Sequence, residues 1–202
     1  MKNWYNLIWW IVAPIFKVFH PCKLVGENHF PQSGGLLCAN HSSWSDPVCL
    51  AVALGHKRQL RAMAKAELMR IPVIGWLLKK AGIFAVERGQ ADMSAIKTAM
   101  KHLKNEENVL VFPEGTRVKN GVDKHGNKVE AKTGAAMLAV RTGVKIVPIY
   151  IPVKKNWFKV TKIVIGEPYL PCVESKKGSP EEYQLITNDL MGRIHALEEL
   201  SK

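Results

Sequence analysis

Short apolar runs alternate with segments of helical periodicity along most of this 202-residue chain. Runs at 36–39, 83–86 and 108–112 have the length of buried strands. Further strands are predicted at 59–64, 145–151 and 159–166, with helical segments between several of them. Parallel strands need long crossovers, so this alternation favours a mainly parallel, twisted sheet flanked by helices. We therefore predict an α/β fold with one domain over residues 21–202.

Residues 1–20 differ from the rest of the chain. They contain three Trp and no acidic residue, and the apolar run from Leu7 to Phe16 lies between lysines. That run is about half of the ~20 residues that a membrane-spanning helix needs. Trp-rich apolar segments flanked by Lys favour the membrane interface. We predict an interfacial membrane-anchor helix at 1–20, and the alternative is a helix docked on the domain core.

The chain is strongly basic, with a formal net charge of +12 and a pI of about 9.6. This balance indicates an anionic partner, such as an anionic membrane surface, a phosphorylated substrate or nucleic acid. The basic residues are dispersed, and zinc-finger spacing and RNA-binding aromatic motifs are missing from the sequence. These observations disfavour nucleic acid. The four cysteines form no CxxC pair and are typical of small apolar residues in a reducing compartment.

A candidate catalytic pair lies directly after the first apolar run. His41 and Asp46 are five positions apart, which separates them by ~140° on a single helix. The run before His41 predicts a strand end, and Asp46-Pro47 predicts a helix start with Asp46 as N-cap. A turn between these elements brings the carboxylate onto the imidazole, which then acts as a general base. The alternative is that Asp46 only caps a helix and His41 is structural.

Polar clusters follow three of the predicted strands. They are His41 to Asp46, Glu87-Arg88 and Glu114 to Arg117. In parallel sheets ligands gather beyond the carboxyl ends of strands, so these clusters predict one shared site. Arg88 and Arg117 offer forked donors for phosphate oxygens, while Gly115 and Thr116 add donors at a tight turn. A base beside an anion-binding patch is the resulting hypothesis, although either Arg alone is also typical of a solvated surface charge.

Other chemistries have weaker support. A Gly-x-Ser-x-Gly elbow, a phosphate-binding GxxxxGK[ST] loop and an HExxH motif are missing from the sequence. A metal site built from His41, Asp46 and Glu114 is conceivable, but their spacing matches none of the common metal motifs. We therefore predict a site without a metal.

The motifs, taken in order, resemble those of the glycerolipid acyltransferase family, typified by bacterial 1-acyl-sn-glycerol-3-phosphate acyltransferases. The resemblance covers roughly residues 26–168. The matching segments are Asn40-His41 with Asp46, Gly82 to Arg88, Phe112 to Arg117, Val147 to Ile149, Ala64-Lys65 with Leu68, and Lys132 with Gly134. Glu87 departs from the family pattern, which usually has Asp, Asn or a hydroxyl residue at that position.

The resemblance implies a role for each site residue. His41 is the general base for a glycerol hydroxyl, and Asp46 orients and stabilises the imidazolium. The substrate-binding residues that it implies are Lys65, Arg88, Glu114, Gly115, Thr116, Arg117 and Lys132.

The implied reaction moves a fatty acyl group from acyl-CoA or acyl-carrier protein to the sn-2 hydroxyl of lysophosphatidic acid, giving phosphatidic acid without a cofactor. The implied location is the cytoplasmic face of the membrane, as a peripheral or monotopic protein on an anionic surface. Glycerol 3-phosphate or another lysolipid is the alternative acceptor. A non-catalytic module that binds membrane or nucleic acid is the alternative from a different functional class.

Overall fold

The strands form one seven-stranded sheet in the computed structural model, which describes residues 2–87, 92–174 and 177–202, with side chains from residue 4 onward. The strands are β1 (Cys22–Val25), β2 (Leu36–Ala39), β3 (Leu60–Lys65), β4 (Phe84–Val86), β5 (Asn108–Val111), β6 (Ile146–Tyr150) and β7 (Thr161–Ile165). Their order is β1-β7-β6-β2-β5-β3-β4, and all neighbours are parallel except β6 and β7. The predicted α/β class is confirmed.

The helices begin and end at local sequence signals. They are α1 (Lys2–Phe19), α2 (Asp46–Leu54), α3 (Ala66–Arg70), α4 (Pro72–Ala81), α5 (Met93–Lys104), α6 (Gly134–Thr142), α7 (Pro180–Ala196) and α8 (Glu198–Ser201). Asp92 caps α5 by accepting the backbone N–H groups of Ser94 and Ala95. Ser179 and Glu182 form a capping box at the start of α7.

Apolar side chains fill both faces of the sheet, so helices lie on two sides of it. On one face Leu36 and Ile146 pack in a cluster that includes α5, α6 and α7. On the other face Leu37 and Val147 pack against residues of α2, such as Leu50. Successive strand residues point to opposite faces, which explains why the central strands are apolar at every position. This arrangement leaves β2 fully buried.

The position of β2 determines where the site forms. β2 pairs in parallel with β6 on one side and β5 on the other, so the carboxyl ends of all three strands meet at one edge. The segments beginning at Asn40, Phe112 and Ile151 leave the sheet there side by side. Neighbouring strands lie only ~4.8 Å apart, so side chains from these three segments can contact one another.

Helix α1 packs on the domain and also presents an apolar outer face. Tyr5 and Ala13 are buried, and the Trp9 Nε1–H donates to the Ala51 carbonyl at 3.1 Å. Trp10 and Ile15 are each about 60% exposed on the outer side (59% and 62%). Among the described residues, none of the helices is both long and apolar enough to cross a membrane.

Three local predictions need correction. The apolar spacing of the C-terminal segment predicts a helix with an inner face of Leu185, Leu190, Ile194 and Leu197. Leu190 and Ile194 are indeed buried, but Leu185 is exposed and Ile186 lies inside. Strand β1 was not predicted, because its sequence mixes Cys and Lys with only two aliphatic residues. Asp46 is the first residue of α2 and follows Ser45 at the N-cap, so its carboxylate is free to bond to the preceding loop.

Candidate active site

Asn40 fixes the start of the loop between β2 and α2. Its side-chain amide donates to the Ile151 carbonyl at 2.8 Å, and its side-chain oxygen accepts the Ile151 N–H at 2.7 Å. The amide group is suited to this pair of bonds because it carries both a donor and an acceptor. The loop is thereby tied to the segment that follows β6.

His41 and Asp46 form the buried pair that the sequence predicts. The His41 Nδ1 lies 2.9 Å from Asp46 Oδ2, and the same oxygen accepts the backbone N–H groups of Ser42 and Ser43 at 2.7 Å each. Asp46 is fully buried and His41 is 8% exposed. Because the carboxylate oxygen accepts, Nδ1 carries the proton and Nε2 is left with its lone pair. The geometry suits a general base.

The charge state of Asp46 follows from competing effects. Burial acts to raise its pKa, but the hydrogen bond from His41 and the charge of Lys155 outweigh burial and hold the pKa below the ordinary value for Asp. The carboxylate is therefore ionised at neutral pH. An ionised Asp46 can stabilise the imidazolium that forms when His41 accepts a proton.

The segment after β5 holds His41 from the other side. The Glu114 Oε2 accepts the His41 backbone N–H at 2.6 Å, and the Val118 N–H donates to the His41 carbonyl at 2.7 Å. The Phe112 ring stacks on the imidazole with centroids 4.1 Å apart. Residues 114–118 are thus fixed beside the base, and they include four of the predicted binding residues, Glu114, Gly115, Thr116 and Arg117.

Glu114 is a carboxyl group whose protonation changes near neutral pH. Burial raises its pKa to about 7; the hydrogen bond from the His41 N–H opposes this rise and the charge of Asp46 adds to it. A partly protonated carboxyl repels an anionic head group less than an ionised one would. The side chain can therefore lie beside a phosphate at lower electrostatic cost.

Gly115 and Lys132 approach each other closely. Gly115 has a φ of +65°, and a Cβ at this position would lie 3.1 Å from Lys132 Cε and 3.2 Å from its Cδ. The Lys132 backbone N–H also donates to the Pro113 carbonyl at 2.8 Å. Glycine satisfies both the left-handed backbone and the close approach. Lys132 is exposed and lies over the loop that holds the base.

An apolar cavity of about 440 Å³ begins at this loop and extends between the sheet and helices α5 and α6. Phe112, Gly115 and Lys132 are among its lining residues. The apolar lining residues also include Met63, Ile96, Leu110, Ala135, Met137 and Leu138. Phe112 also stacks on His41, so one wall of the cavity is in contact with the candidate base. Its mainly apolar lining suits a hydrocarbon chain.

Lys155 belongs to the site and was missed by sequence reasoning. Its Nζ lies 2.7 Å from Asp46 Oδ1 and donates to Ser42 Oγ at 3.3 Å, and its side chain is only 5% exposed. Lys155 follows β6, whereas the polar clusters predicted from the sequence follow β2, β4 and β5. The adjacency of β6 and β2 is the signal that would have identified it, and the strand order was not available from the sequence.

Comparison with known proteins identifies the family. A family model described as Acyltransferase matches residues 22–152. The chain is also 34% identical over 182 residues to a 1-acyl-sn-glycerol-3-phosphate acyltransferase of Bacillus subtilis, and the match covers 87% of each chain. The chain belongs to the acyltransferase family. The resemblance inferred from the motifs is confirmed.

Other relatives of this acyltransferase carry names that refer to different substrates. A lyso-ornithine lipid O-acyltransferase of Pseudomonas aeruginosa is 30% identical over 150 residues, covering 73% of this chain and 54% of that protein. A solved structure titled as the 1-acyl-sn-glycerophosphate acyltransferase PlsC of Thermotoga maritima is 24% identical, with a TM-score of 0.65, and the match covers 98% of this chain and 79% of that one. That structural likeness supports the fold.

The remaining predicted residues of the acyltransferase lie at different distances from the base. Thr116 is half-buried and Arg117 is exposed in the segment held beside His41. Lys65 ends β3, two strands or about 10 Å from β2, and its ammonium pairs with Glu67 at 2.7 Å. Arg88 lies outside the described residues.

The described part of this acyltransferase contains no cluster of side chains that could bind a metal ion. Within residues 2–87, 92–174 and 177–202, no three His, Cys, Asp or Glu side chains are grouped closely enough to hold an ion. The residues that surround His41 are instead engaged in hydrogen bonds with protein groups.

Proposed function

We propose that this acyltransferase moves a fatty acyl group from a thioester to the sn-2 hydroxyl of 1-acyl-sn-glycerol-3-phosphate, giving phosphatidic acid. The observation that carries the proposal is the buried His41–Asp46 pair beside an apolar cavity. Relatives in Bacillus subtilis and Streptococcus pneumoniae are named for this activity. The donor in this proposal is acyl-CoA or acyl-carrier protein, and no cofactor takes part.

The proposed chemistry needs one base and no covalent acyl-enzyme. His41 Nε2 accepts the proton of the acceptor hydroxyl as its oxygen attacks the thioester carbonyl carbon. The tetrahedral intermediate collapses, the carbon–sulfur bond breaks, and the thiolate leaves with the proton from the imidazolium. Asp46 stabilises the imidazolium between these two proton transfers, because its ionised carboxylate lies 2.9 Å from Nδ1.

Substrate binding divides between the cavity and the loop beside it. In this proposal the acyl chain lies in the apolar cavity and the phosphate lies near the loop that carries Thr116 and Arg117. Lys132, which lies over Gly115, adds a cation on the same side. Lys65 and Arg88 are assigned to the head group from the family motifs alone.

A thiol-release assay with several acceptors tests the function. Purified protein and acyl-CoA are combined with lysophosphatidic acid, glycerol 3-phosphate, a lyso-ornithine lipid or no acceptor, and products are identified by mass spectrometry. We expect lysophosphatidic acid to stimulate thiol release and to yield phosphatidic acid. Stimulation by glycerol 3-phosphate or the lyso-ornithine lipid alone would assign a different acceptor. Thiol release that no acceptor stimulates, with either acyl-CoA or acyl-carrier protein as donor, would reject the proposal.

Membrane association is the second part of the proposal. We define the apolar face as the exposed apolar residues of α1, α4 and the turn at Trp157-Phe158. Trp4 of α1 contacts Trp76 of α4 with ring centroids 5.4 Å apart, and Phe19 contacts Trp157 at 5.7 Å, so the three parts are continuous. Interfacial Trp and Phe flanked by Lys favour a lipid headgroup region. We place this face on the cytoplasmic leaflet, as a peripheral or monotopic contact.

The double variant Trp10→Glu/Ile15→Glu tests the apolar face. Both side chains are exposed on α1. Each substitution should remove from the free energy of membrane binding the ~1.5–3 kcal/mol that burying a large apolar side chain provides. We expect the fraction that sediments with anionic phospholipid vesicles to fall by about tenfold or more. Leu185→Glu is the matched control, because Leu185 is equally apolar and 68% exposed but lies on α7. Equal sedimentation of both variants and the parent would contradict a membrane contact at this face.

A further inference from the structure

Lys155 places an ammonium group in a buried position, where desolvation of a charge is unfavourable. Its side chain is 5% exposed, and Asp46, which it contacts, is fully buried. Removing an ammonium from water is unfavourable unless a counter-charge and hydrogen bonds replace the lost hydration. Here the replacements are Asp46 Oδ1 at 2.7 Å and Ser42 Oγ at 3.3 Å. The ammonium is thus held by the same short loop that positions His41.

The two oxygens of the Asp46 carboxylate have separate partners. Oδ2 contacts His41 Nδ1 and the two serine N–H groups, whereas Oδ1 pairs with Lys155 Nζ. The order of the groups is therefore imidazole, carboxylate, ammonium. Contacts at both oxygens oppose rotation of the carboxylate away from the ring. Its charge is also shared between a fixed cation and the imidazole, which changes how strongly it favours the protonated ring.

We propose that Lys155 is a positioning residue for acyl transfer. Its ammonium fixes the Asp46 carboxylate in the orientation that holds His41, and it limits how strongly that carboxylate favours the protonated imidazole. Lys155 acts through Asp46, since its buried ammonium does not face the cavity that we assign to the substrate. This inference rests on the proposed function, because it describes how the base of that reaction is adjusted.

Other titratable groups surround the three residues and must be considered. Glu114 faces His41 from the end of β5 and interacts with the charge of Asp46. Cys49 of α2 and Cys22 of β1 both interact with the charge of Lys155, and Lys17 of α1 interacts with Cys22. Of these groups, Glu114 has a pKa of about 7 and titrates in the range where activity is measured. Its contribution has to be separated by experiment.

The test compares Lys155→Met, Lys155→Arg and Lys154→Met, using whichever acceptor the parent enzyme acylates. For Lys155→Met we expect kcat to fall by about tenfold while KM for the acceptor changes less than about twofold. The acid side of the pH profile of kcat/KM should move to higher pH by about one unit, because the carboxylate then acts on the imidazole without its counter-charge. Lys155→Arg keeps the charge and should return the profile to the parent position. Lys154 is exposed, so its replacement should change none of these values.

The same comparison in a Glu114→Gln background removes the titration of Glu114, and the shift should persist there. A Lys155→Met variant with reduced kcat but an unmoved pH profile would overturn the proposal, since that is the result of a merely structural role. A Lys155→Arg variant that matches Lys155→Met would also overturn it. Failure of the parent to acylate any acceptor is a separate outcome, which rejects the proposed function instead.

A second route applies if Lys155→Met does not fold. Asp46→Asn and Asp46→Asn/Lys155→Met are compared, because the double variant leaves no unpaired buried charge. If Lys155 acts through Asp46, its replacement should change kcat less than about twofold in this background. A further large loss of kcat in the folded double variant would show that Lys155 acts independently of Asp46, and the proposal would fail.

Discussion

His41→Ala should lower kcat for acyl transfer by about 10²–10⁴-fold, which is the usual contribution of a general base. The reason is geometric, because His41 Nδ1 is bound to Asp46 and only Nε2 is left to accept the hydroxyl proton. The thiol-release assay measures the effect. The fold should persist, since Asp46 keeps its bonds to Ser42, Ser43 and Lys155.

The control for this variant is His125→Ala. His125 is exposed in the polar loop after β5, away from the buried pair, so its replacement should leave kcat unchanged. Circular dichroism and thermal unfolding of both variants establish that they are folded. Turnover near the parent rate in folded His41→Ala would rule out His41 as the base and, with it, the proposed mechanism.

Asp46→Ala should lower the free energy of unfolding by about 3–5 kcal/mol, the range for breaking a buried ion pair. The substitution leaves Lys155 without its counter-charge and removes the acceptor for the Ser42 and Ser43 N–H groups and for the His41 ring. Urea unfolding at neutral pH measures the loss. Acyl transfer should fall as well, because the imidazole is no longer oriented.

The matched control is Asp189→Ala, which breaks an exposed pair with Arg193 on α7. Exposed pairs contribute only about 0–1 kcal/mol, so this variant should unfold close to the parent. Equal losses in the two variants would contradict the importance of burial at Asp46.

The stability that Asp46 provides should depend on pH in a defined direction. Its native pKa lies below the ordinary value for Asp, despite burial, because of His41 and Lys155. The native state therefore binds fewer protons at this group than the unfolded state does. The stability difference between the parent and Asp46→Ala should shrink as the pH falls below about 5 and through the native pKa of Asp46.

Much of the fold could be predicted because apolar periodicity reports local structure. Strands β2 and β5 and helices α2 and α6 follow from short windows of residues. The inner face of α7 was predicted correctly at Leu190 and Ile194 but wrongly at Leu185, since Leu185 and Ile186 are both apolar and only the packing against the sheet selects between them.

The residues of the candidate site were likewise predicted where local sequence determines their position and misplaced where strand order does. His41, Asp46 and Glu114 were predicted from their positions after strands, and the structure brings these three into contact through hydrogen bonds. Lys65 was predicted from a motif, but the strand order places it two strands away from β2.

The sequence by itself determined the family, the α/β class and the loop in which a base and its carboxylate meet, because each depends on residues close together in the chain. Only the tertiary structure decided which segments meet that loop. The pairing of β2 with β6 as well as β5 brings Lys155 onto Asp46 across 109 positions of sequence. Strand order is decided by the packing of the whole sheet, and no local pattern of residues encodes it.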